Sequence, residues 1–125
     1  MKEVKTKSGL IVARPGLVRE GLQSVLSAIP GVNALEPAGD GASALDKLAS
    51  RRPDLVIVDS SLPEDELRAT LRHIKDQHPD IRCVVIAASP QQARALEATD
   101  ADAILVEGSS AALLSTTIKT LLTQT

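Results

Sequence analysis

The chain has 125 residues with 14 basic and 16 acidic side chains, a formal charge of −2, the size of one domain that buries about two-thirds of its unfolded surface. It contains no Phe, Tyr or Trp, so its core is aliphatic and no ring can stack a base, a flavin or a sugar. With no dense Lys/Arg stripe either, this argues against direct nucleic-acid binding. The single cysteine cannot close an internal disulfide. The polar start, Met1 to Ser8, has no apolar run behind it of the kind a signal peptide carries, and no segment has the roughly 18 to 20 apolar residues a bilayer span needs. The expectation is a cytoplasmic protein without membrane contact, one domain over residues 1–125, with a flexible extension over residues 1–8.

Leu10-Ile11-Val12-Ala13 is the first of five short apolar runs that read as strands. Leu17, Val18, Leu22, Val25, Leu26 and Ile29 then fall along one helical face, stopped by Pro30-Gly31. Residues 32–37 read as a weak edge strand that Pro37 would end. Ala44, Leu45, Leu48 and Ala49 mark a second helix, entered through Gly39-Asp40-Gly41, a turn without the glycine spacing or lysine of a phosphate cradle. Residues 55–58 form the third run. Leu67, Leu71 and Ile74 mark a third helix, closed by Pro79. Cys83 opens the fourth run, residues 83–87, and reads as a small buried hydrophobe. Ser89-Pro90 opens a short fourth helix carrying Ala93, Leu96 and Glu97. Ala103 to Val106 is the last run, followed by a helix marked by Leu114, Ile118, Leu121 and Leu122 and capped by Ser109 or Ser110. Five strands alternating with five helices imply an α/β fold, a parallel sheet covered on both faces.

The third run is the most informative. Leu55-Val56-Ile57-Val58-Asp59 suits a strand buried on both faces and ending on a carboxylate. In open α/β sheets the carboxyl edge is where ligands bind, because the loops leaving it surround a crevice. Asp59 can there be a nucleophile, a metal ligand or, followed by Ser60-Ser61, a brace that accepts backbone N–H bonds.

The chain resembles the receiver domain of two-component response regulators, most closely those of LuxR/NarL-type DNA-binding regulators. The likeness rests on Leu17-Val18-Arg19-Glu20-Gly21-Leu22, on Ala38 to Leu45, on Arg52-Pro53-Asp54 running into Asp59, on His78-Pro79-Asp80-Ile81, and on Ala101 to Val106, in that order and spacing. The resemblance implies a flavodoxin-like (βα)5 doubly wound sheet of order 2-1-3-4-5, with Asp59 at the position that accepts a phosphoryl group from a histidine kinase.

The other positions of that reaction depart from the family. The acids expected after the first strand are replaced by Ala13-Arg14-Pro15-Gly16, the switch hydroxyl falls on Ala87, the lysine on Glu107 and the switch aromatic on Ile104. Arg14 is expected to take the place of the cation beside Asp59, since an arginine stabilises a carboxylate without metal. No cofactor is then expected. The resemblance further places partner contacts on the fourth helix, fifth strand and fifth helix, at Ala93, Leu96, Glu97, Leu105, Leu114 and Ile118. Expected partners are proteins, among them a histidine kinase, an attached DNA-binding output domain or a second copy. The chain stops where a linker to such a domain would begin, and is expected to be a piece of a longer regulator.

Two alternatives stay open. Asp59 could be phosphorylated conventionally, with Mg²⁺ held through Glu64 or Asp65, although acids in a first turn also simply favour the helix dipole. In a reading from another class, Ser60 or Ser61 would be the phosphorylated residue of an anti-sigma-antagonist-like domain. His73 and His78, five residues apart, do not share a helical face and read as solvated. Neither has an obvious orienting partner for a nucleophilic serine, and no enzyme activity is expected.

Overall fold

A computed structural model describes residues 6–123. Five parallel strands form one sheet in the order β2-β1-β3-β4-β5. They are β1 (Lys7–Val12), β2 (Val32–Ala34), β3 (Leu55–Asp59), β4 (Arg82–Ala87) and β5 (Ala103–Val106). The helices are α1 (Leu17–Ala28), α2 (Gly41–Arg51), α3 (Glu64–Gln77), α4 (Pro90–Ala95), which runs into a 3₁₀ turn over Leu96–Ala98, and α5 (Ala111–Thr123). This is the expected flavodoxin-like topology. No described helix is long and apolar enough to cross a membrane.

Alternation along the strands sorts the core into two layers. Leu10, Val12, Val56, Val58, Cys83 and Val85 pack with α2, α3 and the α4 segment. Ile11, Leu55, Ile57, Val84 and Ile86 pack with α1 and α5 on the opposite face. All five residues of β3 are buried, as its unbroken apolar run requires. Asp59, on the Ile57 face by alternation, therefore emerges from the middle of the sheet at its carboxyl edge.

Two boundaries differ from the sequence reading. The expected extension over residues 1–8 has Lys7 and Ser8 inside β1, because Lys7 N–H bonds to Gly31 O (2.8 Å) and Ser8 N–H to Asp54 Oδ2 (2.8 Å); Met1 to Lys5 lie outside the described residues. The second strand is shorter than residues 32–37. Pairing lapses after Leu35 N–H meets Gly9 O (2.9 Å) and resumes only at Ala38, which bridges Val12. Between them Pro37 has no N–H to give.

The amino ends of β4 and β5 are stapled by Asp102. Its Oδ2 accepts the Cys83 N–H (2.7 Å) and the Lys75 ammonium (2.7 Å), while Lys75 also donates to Ile81 O (2.7 Å). One carboxylate thus ties α3 to two strands. Beneath it the Cys83 thiol is buried, and burial pushes its pKa up to about 12, leaving almost no thiolate at neutral pH. Asp102→Ala is expected to cost about 2–4 kcal/mol in urea unfolding, since it strips a backbone N–H and an ammonium of their shared partner. Cys83 in the native chain is expected to react with a thiol reagent only through unfolding, and the same substitution should speed that labelling in step with the lost stability.

Candidate functional site

The strand ends bring four segments to the carboxyl edge. β3 delivers Asp59, 2% exposed; β1 leads into Ala13-Arg14-Pro15-Gly16; β4 ends on the buried Ala87; β5 is followed by the exposed Glu107. Asp59 Oδ2 accepts the N–H of Ser61 at 2.9 Å, two residues on, so the bracing role of an aspartate in a turn is realised. Its other oxygen, Oδ1, is buried without a hydrogen-bond partner among the described residues.

Arg14 does not neutralise this carboxylate. Its backbone N–H reaches Ser61 Oγ (2.9 Å), which brings the β1–α1 loop next to the Asp59 turn, but its guanidinium turns away to Glu66, Nη2 to Oε1 3.9 Å. The expected Arg14–Asp59 pair is thus corrected. Glu66 attracts the guanidinium because it is already fixed. Its Oε2 accepts the Gly41 N–H at 2.8 Å, at the start of α2, where free amides and the helix dipole favour an anion. Gly41 permits this approach. A Cβ there would stand 2.5 Å from Thr70 Oγ1. Asp40 caps the same helix by accepting the Ser43 N–H at 2.7 Å. That bond, chiefly, holds the Asp40 carboxyl below its ordinary value of 3.8, with the Ser43 side chain and Arg14 adding to it.

The β4–α4 loop is also tied down. Ala88 N–H donates to Gln92 Oε1 (2.7 Å), Gln92 Nε2 lies 3.5 Å from Glu64 Oε1, Arg68 Nε meets Glu64 Oε2 (3.2 Å), and Arg68 Nη2 donates to Ala95 O (2.9 Å). Ser89 Oγ accepts the Gln92 N–H (3.1 Å) and so serves as the α4 cap.

Mg²⁺ prefers octahedral oxygen ligation drawing on one or two carboxylates. The orphan oxygen of Asp59 could supply one such ligand. The β1–α1 loop supplies no acid, Glu64 is engaged by Arg68 and Gln92, and no three His, Cys, Asp or Glu side chains are grouped to hold an ion among the described residues. This donor set does not fit the ion.

The sequence profile of the response regulator receiver domain matches residues 10–106. The chain belongs to this family. A protein-glutamate methylesterase/protein-glutamine glutaminase of Chromobacterium violaceum is 31% identical over 79% of this chain, but this covers 28% of that protein. The DNA-binding transcriptional activator DevR/DosR of Mycobacterium tuberculosis is 30% identical over 66% of this chain and 38% of its own length. The receiver thus spans well under half of these relatives. Among solved structures, a LuxR-family two-component response regulator from Aurantimonas sp. SI85-9A1 superposes with a TM-score of 0.83 at 26% identity, over 94% of this chain and 86% of that one. The receiver domain of a putative NarL response regulator from Mycobacterium tuberculosis shares the fold, with a TM-score of 0.83 at 20% identity over 97% and 99% of the two chains. Membership of the family, with its five-stranded parallel sheet, removes the anti-sigma-antagonist alternative; Ser61 Oγ is an acceptor for Arg14 N–H.

Within this receiver the expected contact residues divide. Leu96, Leu114 and Ile118 are 0%, 7% and 0% exposed and belong to the core, so they are not surface contacts. The resemblance assigns that surface element by element and does not separate the inward residues of an element from its outward ones. Glu97 is exposed, Ala93 and Leu105 are half-buried, and Ile104 is half-buried against the α4 side of the core. Sequence reasoning missed the reach of Glu66, third of the acids Glu64-Asp65-Glu66 that open α3, and Arg19, whose Nη1 donates to Ala13 O (3.3 Å) one residue past the Val12–Val58 pairing. It missed Gln92 as well. Glu66 acts on Gly41, 25 residues away, and Gln92 approaches Glu64, 28 residues away, while Arg19 bonds a carbonyl six residues back; no helix or turn pattern marks any of them.

Asp40 gives a pH test. A carboxyl whose folded pKa is depressed stabilises above its unfolded value, and the contribution is lost as pH falls through the folded value. Asp40→Asn keeps a capping side chain without the charge. In urea unfolding it is expected to be less stable than the native chain at neutral pH, with the gap closing as pH drops below 3.8.

Proposed function

We propose that this receiver works as a protein-contact module in two-component signalling without conventional Mg²⁺-dependent phosphorylation of Asp59. One observation carries the reading. Of the carboxylate at the phosphoacceptor position one oxygen braces the Ser61 N–H and the other is buried without a partner or a grouped acid beside it among the described residues, while the one cation in the β1–α1 loop is held by Glu66. Phosphoryl transfer needs positive charge at the transferring oxygens and an open donor set around the nucleophile. Here the position after β1 that would help bind a metal carries Arg14, the β4 end carries Ala87 without a hydroxyl, and the residue after β5 is Glu107, adding negative charge. The Ala88 amide at the same edge is taken by Gln92. These features support a site that is quiet as chemistry and rigid as structure.

The relatives support a signalling setting. DevR/DosR is a DNA-binding transcriptional activator, and another structural neighbour is a signal receiver domain of a histidine kinase from Syntrophus aciditrophicus. In this reading the receiver acts in the cytoplasm through protein partners, a kinase or an output domain among them, and has no enzymatic activity of its own.

Incubation with acetyl phosphate and Mg²⁺, followed by intact mass measurement, is expected to leave the native chain unmodified. A variant carrying Ala13→Asp, Arg14→Asp, Ala87→Thr and Glu107→Lys is expected to gain one phosphoryl group, and Asp59→Asn in that background should abolish the gain. A stable phosphoryl adduct on the native chain, lost with Asp59→Asn, would refute the proposal.

A further inference from the structure

β2 is the outer strand on one side of the sheet. Gly31 O and the Leu35 N–H bond to β1, at the Lys7 N–H (2.8 Å) and Gly9 O (2.9 Å). Backbone groups alternate in direction along a strand, so those of Val32 and Ala34 point the other way, to the open edge. The Val32 N–H is taken by Ile29 O (3.2 Å), which leaves the Val32 carbonyl and both backbone groups of Ala34 to a further strand. An edge of this kind is a template for strand addition.

Beside it lies a cleft of about 380 Å³ between β2 and α2, with Asn33, Leu35 and Glu36 on the strand side and Lys47, Ser50 and Arg51 on the helix side. Lys47 and Arg51 stand four residues apart on one face of α2, a pairing of like charges that weakens a helix by about 0.2–0.5 kcal/mol. Neither has an ion-pair partner among the described residues, Glu36 included. Arg51, in the last turn, is favoured by the helix dipole, but the half-buried Lys47, one turn earlier, gains little from it. The Ser50 hydroxyl is turned back to the carbonyls of Asp46 (3.4 Å) and Lys47 (3.3 Å). The cleft thus sets two unpaired cations alongside a free strand edge.

We propose that the β2 edge takes up an extended acidic segment of a partner protein as a sixth strand, an inference that rests on the protein-contact role above. Backbone bonds to Val32 and Ala34 hold the segment, and carboxylates on its α2 side meet Lys47 and Arg51. The spacing fits. Side chains on one face of a strand recur every two residues, about 6.7 Å apart, and four residues of helix advance about 6 Å. An acid at every second position therefore reaches both cations, whereas a basic segment is repelled.

The probe is a short synthetic peptide alternating glutamate and valine, titrated into the ¹⁵N-labelled chain. Saturable amide shifts are expected from Asn33 to Glu36, with slowed hydrogen exchange at Ala34. Lys47→Glu combined with Arg51→Glu should raise the dissociation constant about tenfold or more and turn the preference to a lysine–valine peptide. Both side chains reach solvent, and an unchanged far-UV circular dichroism spectrum checks the fold. N-methylation of the peptide backbone, which keeps its charge and removes its strand bonding, should abolish binding. No saturation at millimolar glutamate–valine peptide, or binding that survives N-methylation, would overturn the strand addition and leave the reading of Asp59 standing. An uncharged threonine–valine peptide that binds Lys47→Ala more tightly than the native chain would mark the cations as guards of the edge, and would overturn it as well. Binding that appears only after acetyl phosphate and Mg²⁺ would uphold the edge and refute the phosphorylation-independent reading.

Discussion

Glu66 reaches from the first turn of α3 to the first amide of α2, accepting the Gly41 N–H at 2.8 Å, and its second oxygen draws the Arg14 guanidinium to 3.9 Å. Three segments leaving the sheet are joined through this carboxylate. Most of its strength lies in the charge-assisted bond to the helix amide, since a half-exposed ion pair at that distance adds little. The position of Arg14 is therefore set less by attraction to Glu66 than by where α2 and α3 have fixed Glu66. Asp59, a few residues away in the same crevice, is left to its own turn.

That wiring shapes the rest of the carboxyl edge. The Ser61 amide braces Asp59, the Ser61 hydroxyl holds the β1–α1 loop, and Gln92 takes the Ala88 amide while its side chain approaches Glu64. Donors and acceptors that face outward in an open site here face one another. Each bond is modest, about 1 kcal/mol net, but together they join the loops after β1, β3 and β4 to the starts of α2, α3 and α4. The apolar surface lies elsewhere, on α1 and α5, where Leu17, Val18 and Leu113 stand exposed beside an open groove.

The fold was legible in the sequence because the central strands β1, β3 and β4 are apolar runs of the kind that a covered sheet buries. Residues 55–58 and 103–106 match β3 and β5 to within one residue, and the Ser89-Pro90 start of α4 was read directly from its cap chemistry. Local rules failed where a side chain bonds across the chain. Glu66 looked like an acid favouring its own helix, yet it caps another helix 25 residues away. Charge alone sets Arg14 against Asp59, whereas the folded chain offers it an acid that is better fixed. The family's contact surface places Leu96, Leu114 and Ile118 outward, but the 3₁₀ turn over Leu96–Ala98 and the packing of α5 turn them inward.

The account depends on Asp59 being committed to the Ser61 amide with no site for a divalent ion beside it. Backbone amide resonances of Asp59, Ser60 and Ser61, followed by ¹H–¹⁵N NMR during a titration with Mg²⁺, test this most directly. Positions that stay fixed up to millimolar Mg²⁺ are the predicted result. A saturable shift confined to these amides and to Ala13 and Arg14 would contradict it.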